Sequence, residues 1–361
     1  MSRGRVLALD GVRGLAVLLV TVSHAGFPLL KLGAPVGVTL FFVLSGYLIT
    51  GLLLDEHSTR GWVDLRRFYR HRALRLLPAL FLLLAIWVPL ALAVGRSGTD
   101  VAHDGLAALF YVGNVTSWKV GDLAHTWSLS LEEQFYLIWP AVMLVTLRRG
   151  NRRAVMAVAT GGAVVSLGFR FLAFDWHTST GYANAYYLPH TTAWALLAGV
   201  LLAAAVREWP ALRAPRHAVA ISVVALLAAS SVLGMTGGVV HSGANYGPRL
   251  VAGPIAAVFA VLLILGVTTR KAPGWSVHPV TVFFGAISYG LYLWHGTLIG
   301  LVESVTGSGD FLHLVVGAGC AVVATAGAWA SYRWVETPFL RLKDQPVYTR
   351  RAGRAALLRE R

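Results

Sequence analysis

Apolar residues in this chain run in long blocks instead of alternating or recurring every third or fourth position. A helix that crosses about 30 Å of hydrocarbon needs about 20 predominantly apolar residues. On that criterion the pattern predicts ten crossing helices, at 10–28, 36–54, 73–94, 133–147, 154–174, 188–206, 218–235, 249–268, 281–304 and 312–334. The 133–147 block is short and is counted because the orientation of every later block requires it. The stretch 103–117 is too short and polar to span and predicts a re-entrant or interfacial helix. Arg3 and Arg5 precede the first block as in a signal peptide. Asp10 and Arg13 interrupt that block, however, and no small-x-small site follows, so an uncleaved span is expected. The predicted architecture is all-α: a polytopic integral membrane helical bundle of about ten transmembrane helices.

Composition agrees with that pattern. Hydrophobic residues make up 56% of the 361 positions and charged ones only 13%, about half the usual charged share of a soluble domain. The single cysteine, Cys320, excludes an internal disulfide and a cysteine-based metal cluster. A net charge of +15 could suggest nucleic acid, but placement decides otherwise. With the N-terminus inside, ten spans put most of the basic residues on the cytoplasmic side. They are Arg3 and Arg5, the run from Arg60 to Arg75, Arg148 to Arg153, Arg207, Arg213 and Arg216, Arg270 and Lys271, and Arg333 to Arg361. Lys31, Arg96, Lys119, Arg170 and Arg249 fall outside. This asymmetry matches the positive-inside rule, with both termini cytoplasmic. The basic balance therefore points to membrane lipid as a partner and not to nucleic acid. Two regions are expected: a membrane-embedded domain over 1–340 and a basic cytoplasmic tail over 341–361, lying on the inner membrane face.

Polar groups inside apolar spans are costly unless paired or functional, and they carry the chemical signal. Arg13 and His24 are eleven residues apart, so they share one helix face, about 16 Å apart along the axis. Pairing with Asp10 would account for Arg13 alone, and a neighbour's hydrogen bond for His24 alone. The stretch HTWSLSLEEQFY, His125 to Tyr136, brings Glu132 and Glu133 into the outer entrance of the fourth span, where Ser128 or Ser130 could cap the helix. His24 and Glu132 are thereby predicted to meet in the outer half of the membrane. His295 falls at a similar level, as a candidate or as part of an aromatic belt with Tyr289, Tyr292 and Trp294. On the cytoplasmic side, Arg66, Arg67, Arg70, His71, Arg72 and Arg75 exceed what orientation needs. Arg72 and Arg75, one turn apart, would make an anion cradle suited to phosphates such as those of coenzyme A, and a pure orientation signal is the other reading of the cluster. No P-loop, nucleophile elbow, zinc-protease or dinucleotide motif is present, and no metal is expected.

Six blocks in order now make a resemblance specific: LDGVRGLAVLLVTVSH ending at His24, GVTLFFVLSGYLIT (37–50), FYRHRALRLLPAL (68–80), HTWSLSLEEQFYLIWP (125–140), ISYGLYLWH (287–295) and YRWVETPF (332–339). Together they resemble the acyltransferase 3 family of integral membrane O-acyltransferases, the group that includes O-antigen, Nod-factor and macrolide acylases. The resemblance covers about residues 5 to 340. It implies catalytic weight on His24, an essential acidic position at Glu132, a structural or donor-binding role for Arg13, and acyl-donor contacts at Arg72 and Arg75. Thr39 stands where many relatives carry an acidic residue, so no role is carried over there. The chain's length suggests the stand-alone branch, without an added hydrolase-like domain.

The expected activity is transfer of an acyl group, by default acetyl, from acyl-CoA to a hydroxyl of a sugar, a glycolipid or a macrolide-like metabolite. It would take place in the bacterial cytoplasmic membrane without a bound cofactor. His24 would act as general base with Glu132 orienting its ring; an acyl-histidine relay is the other route. The rival class is a transporter using the same His, Glu and Arg as a proton or substrate path. The absence of an internal repeat argues against it. Orientation is tested in a Cys320→Ala background carrying one new cysteine at position 60 or 150. An impermeant maleimide is expected to label either site only after cells are opened, and labelling of intact cells would overturn the topology.

Overall fold

The computed structural model describes residues 3–116, 121–148, 151–175, 179–236, 247–306 and 310–342. Lys119, Arg149 and the tail beyond Leu342 lie outside the described residues, and so does the expected tail on the inner membrane face. The described residues form helices and connecting turns, with no strand among them. In chain order the helices are α1 (Arg3–His24), α2 (Gly33–Arg60), α3 (Leu65–Ala93), α4 (Gly98–Leu109), α5 (Gly113–Thr116), α6 (Trp127–Leu147), α7 (Arg152–Ala173) and α8 (Ser179–Tyr187). The series continues with α9 (Pro189–Thr192), α10 (Trp194–Glu208), α11 (Ala218–Thr236), α12 (Gly247–Thr269), α13 (Pro279–Ala286), α14 (Ser288–Thr306), α15 (Asp310–Ala330) and α16 (Thr337–Leu342). One π-helical stretch, Ser331–Glu336, joins the last two.

Among the described residues, six segments are long and apolar enough to cross a membrane: Leu7–His24, Gly33–Arg60, Leu65–Ala93, Arg152–Ala173, Leu250–Thr269 and Leu314–Leu342. The expected ninth span is broken. Pro279–Ala286 and Ser288–Val302 meet at an angle of 69°, so they make at most one bent crossing. The other expected spans fall on α6, which carries Glu132, Glu133 and Gln134, on α10, which has 15 residues, and on the short apolar run Ala218–Ser231 of α11. The predicted interfacial stretch is two short helices, α4 and α5. The chain is thus an all-helical membrane protein whose helices differ in length more than an even series of spans would.

Position in the bundle follows from what each helix exposes. Helix α2 touches α1, α6, α10, α11 and α12 and buries residues on all sides, so it is the axis. Helices α6, α7 and α15 instead expose Leu137 and Ile138, Val164 and Leu172, and Val322 and Val323. Large apolar side chains turned outward in such number mark a lipid-facing surface. Between helices in lipid, close packing supplies much of the attraction, and small residues allow it. Gly46 of α2 lies against the Leu196 carbonyl of α10, and Gly199 of α10 lies against the Val43 carbonyl of α2.

A methyl group at either glycine would meet backbone that cannot rotate away. Gly46→Ala and Gly199→Ala are each expected to cost about 1–3 kcal/mol, read as a lower Tm in detergent. Gly161→Ala on α7 faces open space and is expected to stay within about 0.5 kcal/mol of wild type. Equal effects at all three positions would contradict the close crossing of α2 and α10.

Candidate active site

The third helix carries most of the basic cluster into the bundle. Asp64 caps it, its carboxylate accepting the Arg67 backbone N–H at 2.9 Å. Two turns on, Arg72 Nε donates to both carboxylate oxygens of Glu133 on α6, at 3.0 and 2.8 Å, and Nη2 completes the fork. The same guanidinium lies 3.3 Å from the centre of the Tyr136 ring. Both members of the ion pair are less than one-fifth exposed. Arg72 is therefore committed to protein: a bidentate ion pair with an aromatic face beneath it. Arg75, one turn further along, has no ion-pair or hydrogen-bond partner among the described residues.

Two adjoining cavities meet at these arginines. The inner one, about 290 Å³, is lined by α1, α2, α3, α6 and α14. Its polar lining is Asp10, Arg13, Ser45, Arg72, Arg75, Ser128, Glu132, Tyr136, Ser288, Tyr289 and Tyr292, set among Leu, Ile and Phe side chains. The other, about 420 Å³, shares Ile49, Leu52, Arg72 and Arg75 with it and adds Asp55, Glu56, Arg60, Arg67 and His71. Each carboxylate of this second cavity already has an arginine. Arg207 donates to both oxygens of Asp55 at 2.7 and 2.8 Å, and Arg60 donates to Glu56 at 3.0 Å. Arg67 and Arg75 are left on its wall without an ion-pair partner among the described residues. The second cavity thus carries an excess of positive charge, which favours an anionic ligand.

The predicted site residues divide into two groups. Arg13, Arg72, Arg75 and Glu132 line one chamber. Arg13 also pairs with Asp10 at 3.3 Å, as its spacing allowed. Glu132 does not meet His24, contrary to the expected pairing. It accepts a hydrogen bond from Ser45 on α2 at 2.8 Å, on the chamber wall. The reason is depth. Glu132 lies seven residues beyond His125, about 10 Å further along the helix direction, which brings it to the level of the arginines.

His24, half-buried at the end of α1, has different company. Its Nδ1 is 2.9 Å from Nε2 of His295 on α14, with the two rings stacked at 5.1 Å. His125 packs edge-on against His295 at 5.5 Å. Sequence reasoning treated His125 as part of a capping motif and missed it as a neighbour of this cluster. Its place opening that motif was the only available signal. The capping expectation is also corrected. Ser128 Oγ is 2.6 Å from the Tyr292 hydroxyl, and Ser130 Oγ accepts the Gly113 backbone N–H and donates to the Thr126 carbonyl. Tyr292 joins the two groups of residues. It lines the chamber, donates to the His125 carbonyl at 2.9 Å and packs 5.4 Å from His295.

The acyltransferase 3 family profile, described as an acyltransferase domain, matches residues 6–333. Among similar proteins, the peptidoglycan O-acetyltransferase OatA of Listeria monocytogenes is 30% identical over 365 residues, covering 93% of this chain and 56% of the relative. The O-acetyltransferase OatA of Staphylococcus aureus (strain NCTC 8325 / PS 47) is 29% identical, covering 91% and 56%. A protein of Staphylococcus aureus (strain COL), provisionally named an O-acetyltransferase, is 31% identical over 92% of this chain and 56% of its own length. The chain thus spans a little over half the length of these relatives. No solved structure matches it.

The ion pair gives a direct test of what Arg72 does. Glu133→Gln and Arg72→Ala are each expected to cost on the order of 3 kcal/mol by leaving a buried partner uncompensated. The double variant should cost clearly less than the sum. Additive losses in thermal unfolding would show that the two residues do not act as a pair. On the match across residues 6–333, the chain belongs to the acyltransferase 3 family.

Proposed function

We propose that this protein transfers an acetyl group from acetyl-CoA to a sugar hydroxyl in the bacterial cytoplasmic membrane. The observation that carries the reading is the unpaired Arg75 at the junction of two cavities, with Arg67 beside it and every carboxylate of the second cavity already paired. The nucleotide phosphates of the donor would sit in the charged second cavity. The pantetheine arm, apolar with two amides, would run into the inner chamber among Leu9, Phe41, Leu48 and Leu76. Arg13 and Glu132 would line its path. The acceptor class follows from likeness to the Listeria relative, whose name specifies peptidoglycan. The charge asymmetry of the sequence supports a ten-span topology with both termini inside, and on that reading the arginine-lined cavities face the cytoplasmic side.

The chemistry assigned to His24 is general-base catalysis. Its neutral ring takes the acceptor's hydroxyl proton as that oxygen bonds to the thioester carbonyl carbon. The C–S bond then breaks, and the proton passes from the ring to the departing thiolate. His24 does not line the chamber, so on this reading the thioester must pass Tyr292, which stands on the chamber wall and packs against His295. Glu132 on the chamber wall is assigned to the donor's path instead of the histidine ring.

The test uses purified protein in detergent with radiolabelled acetyl-CoA and soluble peptidoglycan fragments. Acetyl transfer is expected without any sealed compartment, whereas a carrier would need one. Arg75→Ala is expected to raise the donor KM about ten- to a hundred-fold, the loss of one charge-assisted phosphate contact. His24→Ala is expected to lower kcat about 10²–10⁴-fold with donor KM little changed. An unchanged donor KM in Arg75→Ala would remove the anion site, and near-normal turnover in His24→Ala would remove the base.

A further inference from the structure

We infer that His295 is a positioning residue for His24: it accepts a hydrogen bond from His24 Nδ1–H and so leaves the Nε2 lone pair of His24 bare. The inference rests on the proposed general-base role of His24 and adds the group that fixes its tautomer. In a neutral imidazole one nitrogen carries the proton and the other accepts, and the bond made by one nitrogen decides the state of the other.

The chain of constraints starts in the backbone of α14. His295 Nδ1 lies 3.0 Å from the Leu291 carbonyl oxygen, one turn back on its own helix. A carbonyl only accepts, so the proton of the His295 ring belongs on Nδ1. Its Nε2 is then an acceptor, 2.9 Å from His24 Nδ1. That bond exists only if His24 carries its proton on Nδ1. The reverse arrangement would set the His295 Nδ1 lone pair against the carbonyl lone pairs. A doubly protonated His295 would place a cation in a fully buried ring, and no carboxylate bonds or pairs with His24, His125 or His295 among the described residues. Isolated buried charge of that kind is strongly disfavoured.

The third histidine does not compete. His125 Nε2 lies 3.0 Å from the Leu293 carbonyl, and the ring makes a second backbone hydrogen bond to Asp122, so its polar contacts go to backbone and not to His295. Its ring packs edge-on against His295 without bonding to it. His295 is completely buried, whereas His24 is half-buried, so the fixed ring is interior and the ring it orients is the accessible one. Without His295 the His24 ring could rotate about χ2 and change tautomer. The fraction with Nε2 bare and correctly aimed would then fall.

The contact separates hydrogen-bond acceptance from ring packing by substitution. His295→Gln can bring its Oε1 near the position of the lost Nε2 and keep the acceptor. His295→Phe keeps a ring and loses the acceptor, and His295→Asn is too short to reach. With acetyl-CoA and soluble peptidoglycan fragments, the Gln variant is expected to keep kcat within about tenfold of wild type. The Phe and Asn variants are expected to lose about 10²-fold or more, all three with donor KM close to wild type. A Phe variant as active as wild type, or a Gln variant as slow as Phe, would overturn the inference. Wild-type protein gives a reading that depends on no substitution at 295. The ¹⁵N shifts of histidine-labelled protein in detergent, with His24 identified by the signal lost in His24→Gln, are expected to show Nδ1 protonated and Nε2 bare. A His24 protonated on Nε2 would refute the assignment regardless of the kinetics. Near-normal turnover in His24→Ala would instead fault the general-base reading.

Discussion

An arginine inside an apolar bundle must be paired or solvated, and the pairing of Arg72 with Glu133 governs the rest of this site. The ion pair ties α3 to α6, and the Tyr136 ring beneath the guanidinium fixes its plane. With α6 held at that depth, Glu132 turns to the opposite wall and meets Ser45 on α2. With Arg72 committed, the next arginine along the same helix is left unpaired at the junction of the two cavities. One structural arginine thus leaves its neighbour without an ion-pair partner among the described residues, which is the setting the proposed donor site uses. A partly buried guanidinium with no carboxylate in direct contact favours an anionic ligand beside it.

The first helix extends this division along the membrane normal. Arg13 lines the chamber at the middle of α1, and His24 stands at the helix's C-terminal end with His295 and His125. Tyr292 belongs to both zones, with its ring on the chamber wall and its hydroxyl on the His125 carbonyl. The proposed mechanism uses this separation, with the donor held at the arginines and the proton transfer made at His24, beyond the chamber wall. Small residues make this compactness possible, since the axis helix α2 can approach α10 closely only where Gly46 and Gly199 face backbone.

Much of this was legible in the sequence because it depends on local spacing. The all-helical membrane character, the shared face of Arg13 and His24, and the basic run before the third span follow from periodicity and composition. What was not legible depends on how helices are offset along the membrane normal. Glu132 and His24 both lie near outward ends of apolar blocks, yet the block carrying Glu132 starts at Trp127, so the carboxylate sits turns deeper than its block suggested. The partner of His24 is 271 positions away, and no local pattern reports such a contact. The even count of ten spans rested on apolar length and, for the 133–147 block, on the orientation of the later blocks. A 69° bend after Ala286 and the 15-residue α10 do not register in a hydropathy pattern.

The account is tested most directly by an electron cryo-microscopy structure of the protein bound to acetyl-CoA. The nucleotide phosphates are expected within hydrogen-bonding distance of Arg75, with the pantetheine arm in the inner chamber between α1, α2 and α6 and the thioester directed toward Tyr292. Donor density elsewhere in the bundle, or phosphates in contact with Arg72 after rupture of its pair with Glu133, would contradict it.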